Sequence, residues 1–157
     1  ARKNKIILIG DVQCSSQIGY VTKLKNFDLI CANEREARIS LNDHNSGLES
    51  LCKNLISETN VKNLIIKLGS KGIILYKSTK NQEIISQPFP ALSTRAIDTA
   101  GAGDSMLSAM ACGLSSGIPV EIASALSCIV TSLAVERMGN VPISRNLLEN
   151  EIINLDF

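Results

Sequence analysis

Short β-branched runs alternate with longer helical patterns along most of this chain, and that alternation limits the folds open to it more than any other feature. Lys5 to Ile9 reads as a strand buried on both faces, since nearly every residue is apolar. Ser16 to Lys25 reads as a short helix or turn. Asp28 to Ala32 is a second strand. Asn33 to Leu41 opens with Asn and carries Glu34 and Glu36 in its first turn, the pattern of a helix N-terminus. Ser46 to Glu58 follows, with Leu48, Leu51, Leu55 and Ile56 at helical spacing. Asn63 to Leu68 is a third strand, stopped by Gly69. Ile73 to Tyr76 and Glu83 to Ser86 form a hairpin across a polar turn. Pro88 and Pro90 are expected to break regular structure. Two more helices follow, about Asp104 to Ser116 and Val120 to Arg137, and a last amphipathic segment covers Arg145 to Leu155. The second of the two helices is apolar on most sides and should be well buried. The expected class is α/β: a mostly parallel sheet with flanking helices and a hairpin.

In such sheets ligands bind beyond the carboxyl ends of the strands. Three groups fall at such ends: Asn33 to Glu36, Gly69 to Gly72, and Gly101 to Asp104. Other function classes are disfavoured by composition. Sixteen Lys and Arg against fifteen Asp and Glu leave a formal charge of +1, which gives no field for bulk nucleic-acid or acidic-lipid binding. Aromatics at 3% offer little base-stacking surface. No apolar run approaches the roughly 20 residues of a membrane span. The apolar run after the basic start is too short for a secretory signal, so a cytoplasmic location is expected. The five cysteines are widely spaced, form no C-x-x-C pair and share the chain with a single histidine, His44. Small buried hydrophobes in a reducing compartment account for them better than zinc or disulfides.

The richest stretch is Asp98-Thr99-Ala100-Gly101-Ala102-Gly103-Asp104. Its glycines permit a tight turn and close backbone approach, and a helix begins there with amides that lack intrahelical partners. Those amides can hold an anion, aided by the helix dipole. Asp104, in the first helical turn, could accept a proton from a hydroxyl nucleophile; the plainer alternative is an ordinary helix start. Lys67-Leu68-Gly69-Ser70-Lys71-Gly72 would let a phosphate chain or flat ligand approach the backbone, or would simply be a turn. Asn33 and Glu36, at i and i+3, share one helix face. Together they could order waters around Mg²⁺, or serve as a cap. Cys14-Ser15-Ser16 reads as a turn. A P-loop is excluded because no Gly-Lys pair exists, and a dinucleotide fingerprint because Met106 holds its third glycine position.

In this order and spacing the three motifs resemble the ribokinase-like (PfkB) carbohydrate kinase family. D-T-A-G-A-G-D-S matches that family's C-terminal signature, N-E-R-E its N-x-x-E motif, and L-G-S-K-G its nucleotide-loop strand. Asp11-Val12-Gln13, Asn33-Glu34-x-Glu36-Ala37 and Gly139-Asn140-Val141-Pro142 narrow the resemblance toward the heptose-phosphate kinase type. The likeness implies a layered ribokinase-like fold, and phosphoryl transfer from ATP to a hydroxyl of a sugar or sugar phosphate. It implies Asp104 as catalytic base and Gly101, Ala102 and Gly103 as the anion hole. Lys67, Gly69, Ser70 and Gly72 would line the ATP site, and Asn33 and Glu36 would organise Mg²⁺ through water. Asp98 and the Ala100 carbonyl correspond to a monovalent-cation site, potassium in several members, although Ala100 replaces a common Thr. The resemblance spans nearly the whole chain but only the C-terminal half of the family's usual length. Residues 1–157 are therefore expected to be a single partial domain, the ATP-binding and catalytic half of a kinase. Its uncovered apolar edge at the first strand should favour homo-oligomers. Two alternatives stay open: a non-catalytic nucleotide-binding or regulatory module, and a kinase of a nucleoside or vitamin alcohol.

Overall fold

A computed structural model describes residues 6–12, 20–79, 81, 83–93, 95–139 and 141–155. The chain divides into two compact units, Ala1–Gly69 with Ile73–Pro88, and Ser70–Gly72 with Phe89–Phe157.

The first unit holds the sheet. Strands β1 (Ile9–Asp11), β2 (Leu29–Asn33) and β3 (Asn63–Lys67) run parallel, and β4 (Ile73–Ser78) is antiparallel to β3. β5 (Ile84–Phe89) lies beside β4, giving the order β1-β2-β3-β4-β5. Two helices, α1 (Glu34–Leu41) and α2 (Leu48–Thr59), connect β2 to β3. One face of the sheet presents Ile30, Ala32, Leu64, Ile66 and Tyr76 to a core that also holds Ala37 of α1 and Leu51, Leu55 and Ile56 of α2. Each fully buried Leu or Ile there contributes about 1.5–3 kcal/mol relative to exposure. Both helices end on an asparagine in the left-handed region, Asn42 at φ 52° and Asn60 at φ 53°. Asn is the side chain, after glycine, that tolerates this conformation best.

Two expectations need correction. The first strand does not run from Lys5 to Ile9. It begins at Ile9 and takes in Gly10 and Asp11, while Ile6 and Ile7 are 54% and 38% exposed and Lys5 lies outside the described residues. β1 is an outer strand of the described sheet, so its apolar approach is not sandwiched between neighbours. Pro88 does not interrupt structure either: β5 continues through it to Phe89. Proline is tolerated there because residues 85–88 are exposed, as on an outer strand, where a missing N–H removes no bond from a buried ladder. Of the short helix or turn expected over Ser16 to Lys25, the described residues 20–25 hold a 3-10 turn, Val21–Lys23; residues 16–19, and Cys14-Ser15-Ser16 with them, fall outside the described residues.

The second unit is built on α3 (Ala102–Ser115), α4 (Val120–Val135) and α5 (Arg145–Asn154). α3 and α4 pack closely because the residues between them are small. A Cβ on Gly113 would stand 3.0 Å from the Ala123 Cβ. α4 buries nine residues, among them Ser124, Ser127 and Ser132. Those hydroxyls donate to the carbonyls of Val120, Ser124 and Ile129 at 2.7–2.8 Å, so none enters the core without a partner. Cys31, Cys52 and Cys128 are buried thiols, pushed up to about 12, 11 and 11 mainly by desolvation. Cys112 departs from the expected pattern: it is exposed. No helix among the described residues is long and apolar enough to cross a membrane.

Candidate active site

In the first unit the parallel strands bring two expected positions to one rim. Asn33, the last residue of β2, is registered against Lys67, the last residue of β3. Asn33 is also the N-cap of α1. Its Oδ1 accepts the Glu36 amide at 2.8 Å, and Glu36 Oε2 accepts the Asn33 amide at 2.7 Å. This reciprocal capping box uses the i, i+3 spacing to satisfy two backbone donors. Glu36 is 5% exposed. Among the described residues no three His, Cys, Asp or Glu side chains converge on a metal position. This donor set would fit Mg²⁺ only through the ion's own water shell.

Lys67 makes the contact that residue spacing could not reveal. Its Nζ donates to Asp11 Oδ1 at 2.8 Å and Oδ2 at 2.9 Å, reaching past β2 to the end of β1. Gly69 follows at φ 61°, exposed, with nothing within 4 Å of where a Cβ would stand. Backbone there is open to a ligand.

Gly72, in the second unit, is different. It is buried at φ 92°, and a Cβ would stand 2.1 Å from the Phe89 carbonyl oxygen and 2.6 Å from the Ala91 nitrogen. Here the close approach is made by the chain's own backbone rather than by a ligand.

The Asp98 to Asp104 turn lies wholly in the second unit. Gly101, at φ 76°, is the N-cap of α3, and no side chain caps that helix start. The left-handed glycine is thus Gly101, whereas Gly103 is already helical and needs no special turn conformation. The Ala102 amide donates to the Thr99 carbonyl at 3.2 Å and the Ser105 amide to Gly101 at 2.9 Å. The amides of Gly101, Gly103 and Asp104 have no acceptor among the described residues. Asp104 is exposed, and its carboxylate has no hydrogen-bond or ion-pair partner among them. Three open donors therefore stand at a helix N-terminus beside an uncommitted carboxylate, an arrangement that can hold a phosphoryl group and take a proton next to it. Asp104, Ser108 and Cys112 of α3, Leu126 and Val130 of α4, and Pro142 line a pocket of about 510 Å³.

Asp98 braces the turn. Its Oδ1 accepts the Ala100 amide at 2.9 Å and its Oδ2 the Gly139 amide at 3.0 Å. These two hydrogen bonds, in that order, hold its carboxyl below the usual Asp range. Gly139 was not singled out for this contact; the two residues are 41 positions apart. A carboxyl depressed on folding adds stability that is present above its unfolded value, about 3.9, and is lost as pH falls through its folded value. The stability difference between wild type and Asp98→Asn, followed by urea denaturation, should accordingly shrink as pH drops below about 4. A difference constant across that range would show that the hydrogen bonds do not favour the charged form. Each carboxylate oxygen of Asp98 thus accepts one backbone donor.

Residues 9–145 match the pfkB family carbohydrate kinases, and the chain belongs to that family. The ribokinase of Lactococcus lactis is 30% identical over 112 residues, covering 71% of this chain and 33% of that protein. A bifunctional protein HldE of Campylobacter concisus is 27% identical over 139 residues, covering 87% of this chain and 28% of its own length. The crystal structure of Thermotoga maritima ribokinase superposes with a TM-score of 0.81 at 27% identity, covering 98% of this chain and 51% of that one. Arabidopsis thaliana ribokinase, solved with ribose and ATP, superposes at 0.76 and 23% identity over 96% of this chain and 48% of its own, a likeness of fold. The chain spans about a third of the length of these curated relatives and about half of the solved chains.

Proposed function

We propose that the chain supplies the nucleotide-binding and base-bearing part of an ATP-dependent kinase whose acceptor is a hydroxyl of a sugar or sugar phosphate. The observation that carries this reading is the pairing, on one short segment, of the open Gly101, Gly103 and Asp104 amides with the free Asp104 carboxylate.

In this mechanism the acceptor oxygen attacks the γ-phosphorus, a new O–P bond forms, and the bond from the γ-phosphorus to the β,γ-bridging oxygen breaks. ADP leaves, and the hydroxyl proton passes to Asp104. Positioning and charge stabilisation do most of the work in such transfers. The amides of Gly101, Gly103 and Asp104 hold the equatorial oxygens of the moving group. The exposed backbone at Gly69 and Ser70 is assigned to nucleotide contact as well, with Gly72 keeping that loop in shape. Mg²⁺ bound to the nucleotide would supply charge neutralisation, with Asn33 and Glu36 limited to contacts through its water.

The test is ADP release by the protein as it exists, with ATP and Mg²⁺, against sugars, sugar phosphates, nucleosides and pyridoxal-type alcohols. Acceptor-dependent ADP formation with a sugar or sugar phosphate is expected. Turnover confined to a nucleoside or vitamin alcohol would move the acceptor class. ATP binding without transfer to any acceptor would point to a non-catalytic nucleotide-binding module.

A further inference from the structure

The Asp11–Lys67 ion pair stands where a structural staple is least needed. β2 already hydrogen-bonds both β1 and β3, and the pair reaches over it at the carboxyl ends of three parallel strands. Its side chains are only 10% and 20% exposed. A pair so far desolvated adds little net stability over apolar residues of the same size. It does place a strongly hydrated ammonium, a group well suited to phosphate, on the rim where ligands of such sheets bind.

Two details suit it to exchange partners. Both hydrogen bonds of Lys67 go to one carboxylate, although an ammonium has three donors, and no other acceptor meets it among the described residues. Asp11 in turn is not held by Lys67 alone, because its Oδ1 also accepts the Val12 amide at 2.8 Å. If the ammonium turned away, that carboxylate would keep a charge-stabilising donor. The open, exposed backbone at Gly69 lies two residues along from Lys67.

We propose that Lys67 is a phosphate-contacting cation held ready by Asp11, and that it exchanges the Asp11 carboxylate for phosphate oxygens when a nucleotide polyphosphate binds. Asp11 then sets how tightly the polyphosphate is held: it competes for the ammonium and adds a like charge near the anion. This rests on the nucleotide-binding reading above and deepens it, because it assigns the two residues opposite effects on one ligand.

Calorimetric titration of the protein with Mg-ATP and, separately, with adenosine tests the exchange in wild type, Lys67→Met, Lys67→Arg, Asp11→Asn and the double variant. Folding is checked by circular dichroism. Lys67→Met should weaken ATP about 10- to 100-fold, the usual worth of a hydrogen bond to a charged group, and leave adenosine unchanged. Lys67→Arg should restore most of the loss. Asp11→Asn should tighten ATP severalfold, and in the Lys67→Met background should have no such effect, because it acts through the lysine. The double variant leaves no buried unpaired charge, so it still reports if Lys67→Met alone folds poorly. Asp11→Asn weakening ATP, or Lys67→Met leaving ATP affinity intact, would overturn the exchange while nucleotide binding stood. Folded wild type that binds no ATP would overturn the nucleotide reading itself, and the exchange with it.

Discussion

Replacing Asp104 by Asn is expected to lower kcat by about 10²–10⁴-fold, the usual worth of a positioned general base. ATP affinity and thermal stability should stay close to wild type. The structure makes this substitution unusually clean. Asp104 is exposed, and its carboxylate caps nothing and pairs with nothing among the described residues. Asn has the same shape and keeps the open Asp104 amide at the start of α3, so the anion-binding donors survive. What is lost is the ability to take a proton when the acceptor hydroxyl attacks. Steady-state kinetics beside a nucleotide titration and a melting curve provide the check. Turnover near wild type would remove Asp104 from the role of base. Glu36 would be a poor comparison, because Glu36→Gln alters a capping box as well as any role near a hydrated ion.

The segments that could be read from the sequence are those governed by local chemistry. The strand–helix alternation, the Asn33 helix start and the D-T-A-G-A-G-D turn each depend on residues within one turn or one strand of each other. Asn33 and Glu36 show how far this goes and where it stops. Their spacing marked them as a pair sharing one helix face, yet the same spacing serves a cap or a hydrated ion, and only coordinates reveal the reciprocal hydrogen bonds. Gly101 and Gly103 present a similar limit: two glycines announce a turn, while the backbone decides which one takes the left-handed angle. The contacts that local pattern does not carry are long-range. Lys67 meets Asp11 across 56 residues, and Asp98 meets Gly139 across 41. No periodicity encodes either, because each depends on how strands and turns are brought together. Pro88 within β5 shows a related limit. Proline breaks a ladder only where its missing N–H is needed, and that depends on the strand's place in the sheet.

The same distinction between local conformation and tertiary crossing gives the largest expected effect on folding. Gly72→Ala should destabilise the chain by about 3 kcal/mol or more, a loss in the range reserved for backbone strain and overpacking. Two penalties coincide at this residue. Its φ of 92° is a conformation that L side chains rarely adopt. The added Cβ would also meet the Phe89 carbonyl oxygen at 2.1 Å, with the Pro90 carbonyl carbon and the Ala91 nitrogen both at 2.6 Å. All three are backbone atoms, so no side-chain rotation relieves the overlap; the 89–91 segment would have to shift. Gly69→Ala separates the two penalties. Gly69 has φ 61° with open space around it, so its alanine meets only the left-handed cost, about 1–2 kcal/mol. In a chain of this size each kcal/mol lowers Tm by about 2–4 °C. Gly72→Ala should therefore melt well below Gly69→Ala, by several degrees, or fail to accumulate as folded protein. Equal melting temperatures for the two variants would show that the crossing at residues 89–91 yields easily, and that Gly72 is there for its backbone angle alone.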